Sequence, residues 1–75
     1  MNIRLSRHAR EQMTRRNIPQ SAVYAAAYSG KRVRSDAEAD VYRRGSIHVV
    51  LASQDERGMR VVVTAYRRQR SKREN

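Results

Sequence analysis

The sequence predicts an α+β domain in which two N-terminal helices pack on an antiparallel sheet of three or four strands. Its first 30 residues place apolar side chains at helical spacing, with a Pro and a Gly at positions that start and stop helices. After Gly30 the apolar residues alternate with polar ones, and turns containing Asp and Gly separate the runs. Helices followed by strands, without βαβ alternation, are typical of the α+β class.

The first helix is predicted to begin after Ser6, whose hydroxyl can accept from an early amide, and to end at about Arg16. Asn17 can adopt the left-handed conformation that closes a helix, and Ile18 would fold back as its apolar contact. Residues 2–5 precede this helix as a short extended segment, which would add an edge strand if it pairs.

Pro19 suits the first turn of a second helix, which the Ala-rich run "PQSAVYAAAYSG" carries to Gly30. The most apolar strand is "MRVVVTAY", whose three consecutive Val predict a central strand covered on both faces. The predicted strands are residues 31–35, 41–44, 46–53 and 59–66.

With 75 residues, the chain has material for one core. We predict a single compact domain over residues 1–66 and a basic, flexible tail over residues 67–75. The sequence has no Cys and no spacing typical of a metal site, so we expect neither a metal nor a cofactor. No apolar run approaches the length of a membrane span and no signal peptide is recognisable, which predicts a cytoplasmic protein.

The charge is the most informative property of the composition. There are 17 basic and 7 acidic residues, for a formal net charge of +10. A field of this sign attracts polyanions, with nucleic acid first and acidic protein surfaces second. Most of the basic residues are Arg, whose planar fork suits phosphate, although a preference for Arg also arises from genome base composition.

The first helix, "RHAREQMTRR", concentrates polar groups beside its apolar face. On a helical wheel His8, Gln12 and Arg15 form a stripe along one edge of that face, and Arg16 projects towards it. An imidazole and two guanidiniums would therefore lie where helix meets sheet. His8 could move protons there, or it could only bind a strand carbonyl.

Further candidate residues lie on the predicted strands. His48 could be a core histidine or could point into the same cleft as His8. Thr64 and Tyr66 place polar groups near the end of the last strand, where Tyr66 could bind a phosphate or stack on a base. Arg43 is a candidate phosphate contact. Strict alternation would put Arg60, Val62, Thr64 and Tyr66 on one face of the sheet.

Two histidines in a basic pocket would form an acid/base pair for cleaving RNA. One imidazole would remove the proton of the 2′-hydroxyl, a second group would protonate the leaving oxygen, and Arg would stabilise the charge on phosphorus. This reaction requires no metal. The alternatives are a non-catalytic module that binds RNA or ribosomes, and a basic domain that binds an acidic protein.

Three segments, "SRHAREQMTRRNIPQSAV", "VYRRGSIHVVLA" and "RVVVTAY", together resemble a family of small bacterial domains of unknown function. Its members carry Ser-x-His-Ala-x-x-x-Met, an Arg-Gly-Ile element and a final Val-Val-Thr-x-Tyr strand. The resemblance covers residues 6–66, with Asn17 where the family has Gly. That family is similar to the barnase–EndoU–colicin–RelE superfamily, which includes metal-independent ribonuclease toxins.

The resemblance implies a RelE- or colicin-like fold and a metal-independent ribonuclease toxin, whose expected partners are RNA (tRNA, mRNA or the ribosome) and an acidic antitoxin or immunity protein. It implies His8 as general acid/base, Arg16 as the phosphate ligand, and Thr64 and Tyr66 as orienting groups. The residues expected to contact substrate around them are Arg15, Gln12, Arg43, His48 and Arg60.

Overall fold

In the computed structural model, which describes residues 2–68, two helices pack on one face of a five-stranded sheet. The strand order is β1-β5-β4-β3-β2, and all neighbours are antiparallel except the parallel pair β1 and β5. The elements are β1 (Asn2–Leu5), α1 (Arg7–Arg16), α2 (Gln20–Ser29), β2 (Lys31–Ser35), β3 (Ala39–Arg44), β4 (Ile47–Ala52) and β5 (Met59–Arg67). The predicted α+β class is confirmed, and the short N-terminal segment supplies the fifth strand.

Helix α1 begins and ends as its sequence predicts. The Ser6 hydroxyl caps its first turn by accepting from a backbone amide at 3.0 Å. At the other end Asn17 is left-handed, with φ 57°. The Ile18 amide donates to Met13 O at 2.8 Å and the Asn17 amide donates to Thr14 O at 3.3 Å, which is the Schellman pattern.

Helix α2 follows after three residues and has Gly30 as its C-cap. Pro19 is its N-cap, one position before the first helical residue, and its carbonyl accepts from the first turn. A Cβ on Gly30 would lie 2.3 Å from Ala26 O and 2.7 Å from Arg43 O. A residue without a side chain is therefore required where α2 passes into β2.

The core lies between the helices and one face of the sheet. Alternate residues of β4 enter it, and a helical stripe from each helix meets them. Its buried apolar members are Leu5, Ala9, Met13, Ile18, Val23, Ala26, Ala27, Ile47, Val49, Leu51, Val62 and Ala65. The opposite face of the sheet, here called the open face, is covered by neither helix, so the prediction of a strand β5 covered on both faces is wrong.

A β-bulge in β5 also corrects the predicted alternation. Val62 pairs with Leu51, whereas Thr64 pairs with the preceding residue of β4, Val50. Val63 is thus an extra residue without a partner in the ladder, and it is 41% exposed.

The extra residue moves the second half of β5 by one position. Arg60 and Val62 lie on the helix side of the sheet, while Thr64 and Tyr66 lie on the open face beside Val50 and His48. Strict alternation had placed all four β5 side chains on one face, and it is wrong because it counts Val63 as a regular strand residue.

Strand β5 ends one residue after its predicted end at residue 66. Arg67 is the last residue of β5, and the Arg68 amide donates to Ser46 O at 2.8 Å. The rest of the predicted tail, residues 69–75, lies outside the described residues.

Candidate functional site

A pocket forms where the edge of β5 becomes free. β1 pairs with β5 only as far as Val62, because the chain leaves the sheet at Ser6 to enter α1. Among the residues that the structure describes, no strand pairs with the second half of β5 on that side, and the C-terminal end of α1 lies over it. The Arg16 pocket, with a volume of about 560 Å³, is lined by Arg16, Thr64, Tyr66 and Arg67. It contains three of the four residues that the resemblance implies for the site.

Arg16 reaches from the last turn of α1 to the strand edge. Its Nη1 donates to Ala65 O at 2.9 Å. That carbonyl would otherwise be an unpaired edge acceptor, so the contact satisfies the strand and fixes the guanidinium at the same time. A guanidinium has five N–H donors, and the rest stay available to an anion in the pocket.

Arg67 is the pocket residue that sequence reasoning missed. Its Nη1 donates to Arg16 O at 3.3 Å and its Nη2 to Asn17 O at 3.4 Å, so it binds the carbonyls that end α1. The sequence did contain a signal for Arg67, because it directly follows Tyr66 and continues the strand pattern. The basic run that follows concealed it, because the whole run was assigned to the tail.

Tyr66 stacks on His48 across the open face. The ring centroids are 5.0 Å apart and the planes differ by 12°. The two residues are direct cross-strand partners, which puts their side chains next to each other. His48 is 8% exposed, and its Nδ1 lies 3.4 Å from Ser46 O. His48 therefore lies behind Tyr66 and does not line the pocket.

His8 does not belong to this pocket. It is an exposed residue at the start of α1. Arg16 is eight positions further along the helix, which separates the two residues by about 12 Å along the axis. With His48 buried beneath the open face, the structure does not bring the two histidines together as an acid/base pair.

The other predicted contacts on α1 also lie outside the pocket. Gln12 is half-buried between His8 and Arg16, and Arg15 is exposed in a shallow hollow beside Glu11. Both remain predictions as substrate contacts.

Arg60 is placed in a buried ion pair away from the pocket. It is 8% exposed, its Nη2 lies 2.8 Å from Asp40 Oδ2, and its Nε donates to Ala52 O at 2.8 Å. The Ser35 hydroxyl and the Arg60 guanidinium hold the pKa of Asp40 below its ordinary value. The donors of Arg60 are thus used within the fold.

Arg43 lies on the open face as the cross-strand partner of His48. It is half-buried, and its Nη1 donates to Gly45 O at 3.3 Å. A row of side chains consequently crosses the open face from Arg43 through His48 to Tyr66 and ends at the Arg16 pocket.

Within residues 2–68, no group of three or more His, Asp or Glu side chains is arranged to hold a metal ion. Among the helices in that part of the chain, none is long and apolar enough to cross a membrane.

Comparison with known proteins gives a family and a fold. The family described as a domain of unknown function, DUF4258, matches residues 5–67. No curated protein matches the chain. Among solved structures, a chain of the RelBE2 toxin–antitoxin complex of Mycobacterium tuberculosis superposes with a TM-score of 0.66 and 22% sequence identity. The superposition covers 89% of this chain and 90% of that one, so the two share a fold over almost their whole length.

Proposed function

The chain belongs to the DUF4258 family of domains of unknown function, and we propose that it is a small RNA-directed protein of the toxin kind. In this proposal it binds RNA at the Arg16 pocket and cleaves it at a 2′-hydroxyl without a metal. The observation that carries the proposal is the convergence of Arg16, Thr64, Tyr66 and Arg67 at the free edge of β5.

The pocket supplies donors of the types that bind a phosphate. Two guanidiniums and two hydroxyls line it, and Arg16 is already fixed by its bond to Ala65 O. Guanidinium–phosphate hydrogen bonds are charge-assisted and stronger than neutral ones. The formal net charge of +10 would draw RNA towards the protein.

In the cleavage step a base takes the proton of the 2′-hydroxyl, and O2′ attacks phosphorus. The bond from phosphorus to O5′ breaks as O5′ receives a proton, which leaves a 2′,3′-cyclic phosphate and a 5′-hydroxyl. Arg16 and Arg67 would stabilise the negative charge that develops on the phosphoryl oxygens. Within the pocket, we propose that the Tyr66 hydroxyl exchanges a proton with the RNA. His8 would act as general acid/base only on RNA that continues along α1.

The experiment compares cleavage of tRNA, mRNA fragments and ribosomes in EDTA. We expect Arg16→Ala to slow cleavage by about 100-fold, because a fixed donor to the transition state is lost. Arg57→Ala is the matched control, since Arg57 is exposed in the turn at the far end of β5. Equal rates for wild type and Arg16→Ala would refute the role of the pocket.

His8→Ala and Tyr66→Phe then assign the proton transfers. A loss confined to Tyr66→Phe places the chemistry inside the pocket, and a loss with His8→Ala places it along α1. In cells, growth arrest on induced expression that is relieved by Arg16→Ala would support a toxin.

The second candidate function is a non-catalytic RNA-binding module, which the position of His8 outside the pocket favours. In that case wild type binds RNA, Arg16→Ala weakens binding, and no 2′,3′-cyclic phosphate product forms. Under both functions an acidic antitoxin is the expected protein partner, consistent with the charge of the chain and with a structural neighbour from a toxin–antitoxin complex.

A further inference from the structure

We propose that the Arg16 pocket takes one unpaired nucleotide of single-stranded RNA, with its base stacked on the outer face of Tyr66 and its phosphate on Arg16 and Arg67. This inference rests on the proposed function and names its substrate class. It also gives His48 a role as a positioning residue for Tyr66.

The two faces of the Tyr66 ring have different surroundings. His48, on the neighbouring strand β4, covers one face with an almost parallel ring at 5.0 Å between centroids. The other face is directed away from β4, towards the edge of β5 that β1 leaves free after Val62. That edge is where the Arg16 pocket lies, and Tyr66 is one of its walls.

His48 fixes the plane of this wall. At 8% exposure it is itself buried, and its pairing with Arg43 on one side and Tyr66 on the other restricts its movement. A tyrosine held against it offers a flat surface whose orientation is set before any ligand arrives, which lowers the entropy cost of stacking. A base placed on Tyr66 would be the third ring of a stack that already contains two.

The cations are placed for the other half of a nucleotide. Arg16 is anchored at Ala65 O, the carbonyl directly before Tyr66, and Arg67 is the residue directly after it. An aromatic wall and two guanidiniums in a cavity of about 560 Å³ thus match a ligand that joins a planar ring to a phosphate.

The stack selects for single strands. A base within a duplex is covered on both faces by its neighbours, whereas an unpaired base can turn one face to a protein ring. Every base has such a face, so stacking on Tyr66 tolerates any sequence. Discrimination between bases would have to come from contacts outside this wall.

The test uses a short single-stranded RNA with 2′-O-methyl groups, which cannot be cleaved, and 2-aminopurine at one internal position. A matched RNA has an abasic site there and keeps the same phosphates. Binding of both RNAs is measured for wild type, Tyr66→Leu and Tyr66→Phe, by aminopurine fluorescence and by anisotropy of an end label. Thermal unfolding of each variant is recorded, and cleavage of unmodified RNA is assayed in parallel.

We expect wild type and Tyr66→Phe both to bind the aminopurine RNA and to quench its fluorescence, since both keep the ring, and loss of the hydroxyl should weaken binding less than loss of the ring. Tyr66→Leu should bind it about 5- to 150-fold more weakly. The abasic RNA should bind wild type as weakly as it binds Tyr66→Leu.

Equal binding of the two RNAs by wild type, a comparison that depends on no variant, would overturn the inference and leave the proposed cleavage standing. Base-dependent binding without cleavage of unmodified RNA would support the inference and contradict the proposed reaction. Binding of neither RNA would overturn both.

Discussion

Arginine side chains of this protein differ in what their guanidiniums contact. Arg60 is buried and uses its donors on Asp40 and on strand carbonyls. Arg16 donates one hydrogen bond to Ala65 O, and the rest of its guanidinium lines the Arg16 pocket. The sequence predicted both residues as substrate contacts, because residue type and position on a helix or strand do not show which guanidinium is already paired. Burial and hydrogen bonding, which depend on the assembled sheet, distinguish them.

Asp40→Asn should destabilise the protein at neutral pH, because it leaves the buried Arg60 guanidinium without its anion. The Ser35 hydroxyl and Arg60 hold the pKa of Asp40 below its ordinary 3.8 in the folded state. The carboxylate therefore stabilises the fold above that value, and the effect is lost as pH falls through the lowered pKa.

Urea unfolding of wild type and Asp40→Asn across an acid series measures this difference. It should be largest at neutral pH and shrink in acid. Glu56→Gln, which changes an exposed carboxylate in the β4–β5 turn, is the control. A difference that stays constant across the series would contradict the assignment.

Individual elements were predictable where the signal was local. Ser6, Asn17 and Gly30 marked the helix ends because capping and close approach depend on neighbouring residues. The bulge at Val63 was not predictable, because three consecutive Val fit either face of a strand. The parallel pairing of β1 was also hidden, since its partner β5 lies far away in sequence.

The bulge sets which side chains of β5 face the pocket. If Val63 were a regular strand residue, Thr64 and Tyr66 would turn to the helix side, whereas deletion of Val63 removes the extra residue and keeps both on the open face. We expect this deletion to lower the stability, because the local twist of the bulge is lost, and to keep RNA binding. Val63→Thr keeps the residue count and should change the free energy of unfolding by less than about 0.5 kcal/mol. Thermal unfolding monitored by circular dichroism compares the two variants.

Asn17, the left-handed residue that ends α1, also contributes to this pocket, because its carbonyl accepts a hydrogen bond from Arg67. Asn17→Ala should cost about 1 kcal/mol of stability, because a Cβ without a compensating polar group is strained at φ 57°. Asn17→Gly should equal or exceed wild type in urea unfolding. Similar losses for both variants would show that the Asn17 side chain, and not its backbone conformation, matters.

At the scale of the whole molecule, the net charge was the property that could be read most directly from the sequence. The formal net charge of +10 is larger than the charge of the two arginines that line the pocket. Most of the electric field therefore attracts polyanions over a distance. The described Arg residues on the open face and on α1 spread this field around the pocket, whereas the specific contacts come from a few fixed side chains.

Affinity for single-stranded RNA should fall steeply with salt. A logarithmic plot of the binding constant against salt has a slope of about −0.7 for each phosphate neutralised. Arg16→Ala should reduce that slope by about 0.7, and Arg57→Ala, at the far end of β5, should leave it unchanged. Anisotropy titrations over a salt series provide the measurement. Equal slopes for the three proteins would remove Arg16 from the phosphate contacts.

The contacts of β1 and α1 with β5 determine when, during synthesis, the Arg16 pocket can form. Asn2 lies opposite Met59, and Arg16 meets a strand whose last residue is Arg67. A ribosome synthesises α1 and α2 well before β5, so the growing chain holds Arg16 without the strand edge that fixes it. The Arg16 pocket forms only when β5 has emerged from the ribosome. If the site acts on RNA as proposed, a nascent chain could not act there on the RNA of the ribosome that is producing it.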